Sequence, residues 1–120
     1  MEKEINKILH LAVCEGRHTI KPAIDGSIFG KSIPDDVLTN PKRFESHAFN
    51  ALWNECFRRH WLIPTDDGDI IQRGLNLNLY ATGLTVAVIA ILNVCRCEGI
   101  AVTLWHYDRI SGEYYPQKVY

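Results

Sequence analysis

Hydrophobic and polar residues alternate along residues 75–80, LNLNLY, with an apolar side chain at every second position. This period of two is typical of a strand that buries one of its faces. Residues 86–97 are apolar on almost every side, and Gly99 follows them in the position of a helix C-cap. Residues 100–107 are again β-branched and aromatic. The pattern predicts a βαβ unit over residues 75–108, and such units are nearly always right-handed with parallel strands.

The middle segment of this unit also fits a strand, because residues 86–92, VAVIAIL, are rich in β-branched side chains. A segment of about 14 residues is long for a strand, and the turn residues that bound it favour a helix. A helix that is apolar all round needs burial on two sides. The sheet would cover one side. Either a second helix, predicted over residues 41–60, or a second copy of the chain would cover the other.

The N-terminal half adds three elements. Residues 8–14 form an apolar run of strand length, and residues 27–29 fit a short strand within a glycine- and proline-rich loop. The helix over residues 41–60 would start with Asn40 as N-cap and Pro41 in its first turn. Apolar side chains recur along this helix at i, i+4 and i+8. They are Phe44, Ala48, Leu52 and Cys56.

Two turn-rich segments complete the chain. Residues 61–63 form a short apolar segment that Pro64 is expected to close, and residues 65–69 read as a surface turn. A glycine-containing turn after residue 107 lies between two β-type runs, which predicts a C-terminal hairpin. Its returning strand contains Pro116, which favours an edge position. Together these patterns predict one α/β domain over residues 1–120. It would have a Rossmann-like, mostly parallel sheet on which the 41–60 helix packs.

Composition narrows the classes of function. The 120-residue chain has a formal net charge of −1, which gives no reason to expect long nucleic acids as partners. Its first residues, MEKEINK, are charged, and no apolar run reaches the about 20 residues that span a bilayer. We therefore expect a cytoplasmic protein without a membrane partner.

The cysteines do not predict a metal site. We expect reduced thiols because the sequence shows no export signal, and no bound metal or cofactor because no CxxC or HxxxH spacing occurs. The alternative is a zinc site that joins Cys97 to His10, His18 or His106. The four thiols belong to Cys14, Cys56, Cys95 and Cys97.

Candidate chemistry lies where the parallel strands are expected to end, because ligands of such sheets bind outside the carboxyl ends of the strands. Thr82, Gly83 and Thr85 form a turn at the start of a helix, where hydroxyls and unpaired N–H groups suit an anion. The alternative is a simple helix N-cap by one of the two threonines. The turn is neither a Walker A loop nor a GxGxxG loop.

Two further loops end at the same edge. Arg17 and Arg109 are candidate partners for phosphate or carboxylate, with solvated surface or a salt bridge as the alternative. His18 and His106 are candidate acids or bases, with a surface hydrogen-bonding role as the alternative.

Three aromatic residues, Tyr80, Trp105 and Tyr107, lie near the same strand ends. Their rings can stack on a base, or they can be ordinary core and sheet-face residues.

The sequences LNLYATGLT at 77–85 and IAVTLWHYDRISGEYYP at 100–116 flank the hydrophobic helix. With that helix, residues 75–120 resemble the CARF-like half-Rossmann modules of CRISPR-linked proteins. In those modules a strand ends in a Thr/Ser-Gly turn that opens a helix. A strand and a hairpin follow, with a phrase like YD-R-tG-Y.

The resemblance implies binding of a nucleotide-type immune signal, often a cyclic oligonucleotide, across a homodimer or higher oligomer. Thr82, Gly83 and Thr85 would line the phosphate site, and residues 15–18 correspond only by position. We expect no attached effector domain. Such a module, in a bacterium, an archaeon or a phage-infected cell, would either cleave the signal, as ring nucleases do, or hold it, as phage sponge proteins do against nucleotide-triggered defence.

Three hypotheses follow. The first is a small protein that binds and holds or senses such a signal without catalysis. The second is a metal-independent phosphodiesterase that acts on it, with His18 or His106 near the scissile phosphate and an arginine that steadies charge. The third is an oligomeric interaction module whose loops bind nothing, since a fold alone does not imply a function.

Overall fold

A computed structural model describes residues 7–14, 24–29, 40–81 and 85–120 of the chain. Seven strands and two helices are found within these residues. In chain order they are β1 (Lys7–Ala12), β2 (Gly26–Ser27), α1 (Pro41–Arg58), β3 (Leu62–Thr65), β4 (Gly68–Ile71), β5 (Leu75–Tyr80), α2 (Thr85–Glu98), β6 (Ala101–Asp108) and β7 (Glu113–Lys118).

The central sheet has five strands in the order β2-β1-β5-β6-β7. β1 pairs in parallel with β2 and with β5, and β5 pairs in parallel with β6. β7 returns antiparallel beside β6 and forms the edge of the sheet. The structure confirms a mixed α/β fold with a mostly parallel sheet, a βαβ unit and a C-terminal hairpin. The hairpin's Pro116 lies on the edge strand, where a missing N–H costs no hydrogen bond to an inner neighbour.

The hydrophobic segment of the βαβ unit is a helix, α2, as its length and boundaries predicted. Gly99 follows it with φ +70°, and Ile100 N donates to Cys95 O at 2.9 Å to close the C-terminal turn. Helix α1 packs against α2, so a second helix covers the side that the sheet leaves. Ile89 remains 52% exposed on α2.

Helix α1 begins where the sequence predicted. Asn40 is the N-cap, and its side-chain oxygen accepts a hydrogen bond from Lys42 N at 3.1 Å. The helix ends at Arg58, two residues earlier than predicted, and His60 follows with φ +58°. Its buried stripe has the predicted spacing of four residues, which turns one face toward the core. The stripe consists of Phe44, Ala48, Leu52 and Cys56.

The segment after α1 differs from the expectation. Pro64 does not close a short segment but lies inside β3, which pairs antiparallel with β4 around a turn at Asp66 and Asp67. Proline is tolerated there because no described strand pairs with the outer edge of β3. The remaining strand boundaries shift by one or two residues. The run predicted at 8–14 is the strand Lys7–Ala12, and the short strand predicted at 27–29 is Gly26–Ser27.

The two faces of the central sheet carry different side chains. Leu75, Leu77 and Leu79 are buried in one hydrophobic core with residues of α1 and α2. Tyr80 lies on the other face, because successive side chains of a strand alternate. Its side chain is only 1% exposed, although it does not belong to that core. The face of the sheet opposite the two helices is therefore also packed around Tyr80.

Candidate functional site

Three parallel strands end side by side at one edge of the sheet. The ladder continues beyond β1, where Val13 N donates to Tyr80 O at 3.0 Å, and beyond β5, where Ala81 N donates to Trp105 O at 3.0 Å. The chain leaves β1 toward β2 on one side and later places β5 on the other side. The boundary between β1 and β5 is thus a topological switch point. Open α/β sheets bind ligands outside the carboxyl ends of the strands at such points.

Three of the residues predicted for a site at this edge are described. Thr85 is the first residue of α2 and is exposed. Arg109 is exposed in the turn that follows β6. His106 lies within β6. The other four, Arg17, His18, Thr82 and Gly83, lie outside the described residues.

His106 is turned away from the aromatic residues on either side of it. Its Nε2 lies 2.7 Å from Gln117 Oε1, and its ring stacks on Tyr115 with 5.2 Å between centroids. Trp105 and Tyr107 occupy the opposite face of the sheet, since strand side chains alternate. The structure therefore separates His106 from these two rings, although all three are neighbours in sequence.

The turn that carries Arg109 is held by Asp108. Ile110 N donates to Asp108 Oδ1 at 3.0 Å, and Ser111 Oγ donates to Asp108 Oδ2 at 2.9 Å. These bonds lower the pKa of the Asp108 carboxyl, the backbone bond from Ile110 most strongly, because they favour the ionised form. The turn is therefore fixed by its own carboxylate, and Arg109 is presented from a defined backbone.

An aromatic cluster fills the carboxyl half of the sheet on the face opposite the helices. Tyr80 is at its centre, with Trp105 stacked at 5.8 Å between centroids and Tyr114 edge-on at 5.4 Å. Tyr107 contacts Tyr114 at 5.3 Å, and His10 contacts Tyr80 at 6.2 Å. These five side chains, from four neighbouring strands, are called the aromatic cluster below.

Polar atoms within the aromatic cluster are positioned by hydrogen bonds, with one exception. His10 Nδ1 lies 3.2 Å from the Tyr80 hydroxyl, and Trp105 Nε1 donates to Asn78 Oδ1 at 3.0 Å. The exception is the Tyr114 hydroxyl, which is buried and has no hydrogen-bond partner within the part of the chain that the structure describes.

Burial also affects the acidity of these phenols. Desolvation raises the pKa of both Tyr80 and Tyr114, and for Tyr114 the neighbouring hydroxyls of Tyr107 and Tyr80 add to the effect. Both phenols therefore stay protonated at neutral pH. A buried, unpaired hydroxyl costs free energy that a bound polar group would return.

Sequence reasoning noted Tyr80, Trp105 and Tyr107 but missed His10 and Tyr114. The signal for Tyr114 is the hairpin, whose register places it directly opposite Tyr107. The signal for His10 is the pairing of β1 with β5, which sets it beside Asn78. Both signals require the strand pairing, which the sequence pattern does not give.

No three His, Cys, Asp or Glu side chains among the described residues are grouped as metal ligands would be. None of the described helices combines the length and apolarity needed to cross a membrane.

Comparison of the chain with models of protein families, with curated proteins and with solved structures gives no match. The geometry of the sheet edge and of the aromatic cluster is therefore the basis on which a function is inferred.

Proposed function

We propose that this chain binds a small nucleotide-derived ligand at the carboxyl edge of the sheet and holds it without cleavage. The base would contact the aromatic cluster, and the phosphate would lie toward the start of α2 and the turn of Arg109. A cyclic oligonucleotide immune signal is the ligand class that we favour. Sequestration or sensing of that signal is the function.

The buried hydroxyl of Tyr114 is the observation that carries this proposal. A hydroxyl without a partner destabilises a packed cluster, and a phenylalanine would fill the same space without that cost. A bound ligand with a polar edge would give the hydroxyl a partner. Nucleobases have such an edge, and their flat faces pack well against aromatic rings.

The position of the aromatic cluster supports the same ligand. Tyr80 is the last residue of β5 and Trp105 is its pairing partner on β6, so the rings lie at the edge where the parallel strands end. Thr85 and Arg109, from two connections at that edge, suit the phosphate. We favour a small ligand because a long nucleic acid would need a basic surface.

The resemblance of residues 75–120 to CARF-like modules supports the choice of a cyclic oligonucleotide, as does the order of the four parallel strands, which suits a Rossmann-like fold. On that reading the protein acts in the cytoplasm, in defence or in a phage's counter-defence. Arg17, His18, Thr82 and Gly83 remain predicted ligand contacts.

A metal-independent phosphodiesterase is the second candidate function. His10 favours it, because its Nδ1 lies 3.2 Å from the Tyr80 hydroxyl, and the two groups together could relay a proton toward a ligand bound at the end of β5. His106 is less suited than the sequence suggested, because it lies on the other face of the sheet. Under this reading His10→Ala would abolish product formation, and under the binding reading no product forms.

The test is one incubation of the purified protein with cyclic di-, tri- and tetranucleotides and cyclic ADP-ribose isomers. After filtration and heat denaturation, both fractions are analysed by liquid chromatography and mass spectrometry. A compound that is retained and released intact supports binding. A linear product supports the phosphodiesterase. If every compound passes through unchanged, the nucleotide proposal is wrong and an interaction module becomes the leading hypothesis.

Two matched variants locate the site on the aromatic cluster. Tyr114→Phe removes the unpaired hydroxyl, and we expect it to weaken retention of the ligand about tenfold, the value of one hydrogen bond to a buried group. Tyr115→Phe removes the neighbouring hydroxyl on the opposite face, where Tyr115 is 54% exposed, and should leave retention unchanged. Equal effects of the two changes would place the ligand elsewhere.

A further inference from the structure

Strand β4 has an open edge that no proline protects. Three strands of four or more residues have an unpaired edge among the described elements, namely β3, β4 and β7. β3 contains Pro64 and β7 contains Pro116, and a proline blunts an edge because it offers no N–H. β4, with the sequence GDII, contains none. An open edge of this kind is a template for pairing with another strand.

The hydrogen-bond pattern shows which groups of β4 point outward. Gln72 N donates to Trp61 O at 2.7 Å, so Gln72 faces β3. Backbone groups alternate between the two sides of a strand in an antiparallel ladder. Ile70 therefore also faces β3, whereas the N–H and C=O groups of Asp69 and Ile71 point to the open edge.

The outer face of the hairpin is apolar and exposed. Ile63 and Ile70 lie directly opposite each other and are 39% and 50% exposed. Behind them, Ile71 and the partly buried Leu62 pack against the core of the domain. A two-stranded hairpin is only marginally stable by itself, and more strands stabilise it. Ile70, the member of this pair that lies on β4, is therefore suited to burial beside a strand added at the open edge.

The hairpin carries negative charges at its tip and a positive charge next to its base. Asp66, Asp67 and Asp69 are exposed around the tip, and Arg73 is exposed just beyond the base. Lys7 Nζ donates to Arg73 O at 3.3 Å, which fixes the backbone at that base. Two such hairpins placed antiparallel would bring the acidic tip of each against the basic end of the other.

We propose that β4 pairs antiparallel with β4 of a second copy of this chain, which joins the two hairpins into a four-stranded sheet around a twofold axis at Ile70. In this register Asp69 of each copy exchanges backbone hydrogen bonds with Ile71 of the other. Asp67 of each copy lies beside Arg73 of the other. The backbone groups that point to the open edge and the charged side chains thus favour the same register. This interface is independent of the proposed ligand site, which lies at the carboxyl edge of the central sheet.

The size of the interface sets the expected affinity. Stable interfaces bury about 800 Å² on each partner, and one strand with a single isoleucine pair at its centre buries less. We therefore expect a weak dimer with a dissociation constant on the order of 10 μM, close to the weak end of specific association.

Sedimentation velocity of the full chain, from micromolar to several hundred micromolar protein, tests the proposal. We expect the average mass to rise toward that of a dimer. Ile70→Lys should weaken dimerisation about tenfold, because it removes the central isoleucine contact and sets two like charges opposite each other across the axis. Ile63→Lys is the matched control. It changes the same residue type at similar exposure on the neighbouring strand, and it should have little effect.

A charge exchange tests the register. Asp67→Arg or Arg73→Asp alone should weaken the dimer about tenfold, because each places like charges together twice in the symmetric pair. The double variant should restore it. Rescue of this kind cannot come from a loss of folding.

Covalent capture gives a second readout. In a Cys97→Ser background, oxidation of Ile70→Cys should yield a disulfide-linked dimer, because facing side chains of such a pair have Cβ atoms about 4.5 Å apart. The two copies of Ile63 would be roughly 14 Å apart, three strand spacings, and Ile63→Cys should stay uncrosslinked. A chain that stays monomeric at all concentrations, or equal crosslinking of the two variants, would overturn the proposal. So would a dimer that Ile70→Lys leaves unchanged.

Discussion

The two faces of the central sheet are buried by different kinds of side chain. On the helix side, leucines of β5 are buried in one hydrophobic cluster with aliphatic and aromatic residues of α1 and α2. On the opposite face, Tyr80 is equally inaccessible, but it is surrounded by rings with polar atoms, one of which lacks a partner among the residues that the structure describes. Hydrophobic burial, which stabilises the fold, accounts for the side chains of the first face. The second carries a cost in stability, and such costs accumulate where proteins bind or react.

Residues that are neighbours in one strand lie on different faces of the sheet. Leu79 and Tyr80 are adjacent in β5, and Trp105 and His106 are adjacent in β6, yet the members of each pair serve opposite faces. A cluster of chemically interesting residues in the sequence is therefore two separate groups in the fold. Changes at neighbouring positions should have different consequences.

The largest effect is expected on the helix side. Leu77→Ala should lower the free energy of unfolding by about 3 kcal/mol, because the side chain is fully buried and its removal leaves a cavity. Asn76→Ala changes the adjacent, exposed residue on the other face and should cost less than about 0.5 kcal/mol. Urea denaturation of the two variants measures the difference. Equal losses would contradict the assignment of the core to the helix side.

A smaller loss is expected in the aromatic cluster. Trp105→Phe keeps a ring beside Tyr80 but removes the donor to Asn78 Oδ1, which should cost about 1 kcal/mol. A double-mutant cycle with Asn78→Ala isolates this hydrogen bond from the change in packing. A coupling energy near zero would mean that the bond contributes nothing and that Trp105 acts through packing alone.

Much of the fold could be predicted because its signals are local. The alternation at residues 75–80 gives β5 without error, and Gly99 sets the end of α2. Asn40 and the four-residue spacing of the buried stripe place α1. The β3–β4 hairpin was missed because its strands are short. In addition, Pro64 and a run of polar residues hide the alternation of apolar and polar side chains.

The candidate site was less predictable because it depends on pairing between distant strands. The period of two alone separates His106 from Trp105 and Tyr107, so that part could have been foreseen. The contact of Tyr114 with Tyr80 depends on the register of the C-terminal hairpin and on the position of β5 beside β6. No sequence pattern encodes whether a buried hydroxyl finds a partner.

The buried hydroxyl gives a prediction of opposite sign. Tyr114→Phe should raise the free energy of unfolding by about 1 kcal/mol, because it removes a desolvated polar atom and keeps the ring. Tyr115→Phe, at the neighbouring exposed position, should change it by less than about 0.5 kcal/mol. Thermal and urea unfolding without ligand measure both variants. A loss of stability in Tyr114→Phe would show that the hydroxyl has a partner in solution, and the argument for a ligand at this point would then fail.

The smallest expected effect is a change in how steeply the free energy of unfolding falls with pH, and it concerns the same aromatic cluster. Burial raises the pKa of Tyr80 and Tyr114, so the folded chain holds these two protons more tightly than the unfolded chain does. This contribution to stability is complete below about pH 10, the ordinary pKa of tyrosine, and is lost as the pH rises through the raised values. The free energy of unfolding should therefore decline as the pH rises above about 10, and it should decline less steeply in Tyr114→Phe because one of the two protons is gone. Tyrosinate absorbance in the same samples shows whether the phenols ionise before or with unfolding. A wild-type slope that the substitution leaves unchanged would mean that Tyr114 is solvated, and the contrast between the two faces of the sheet would disappear.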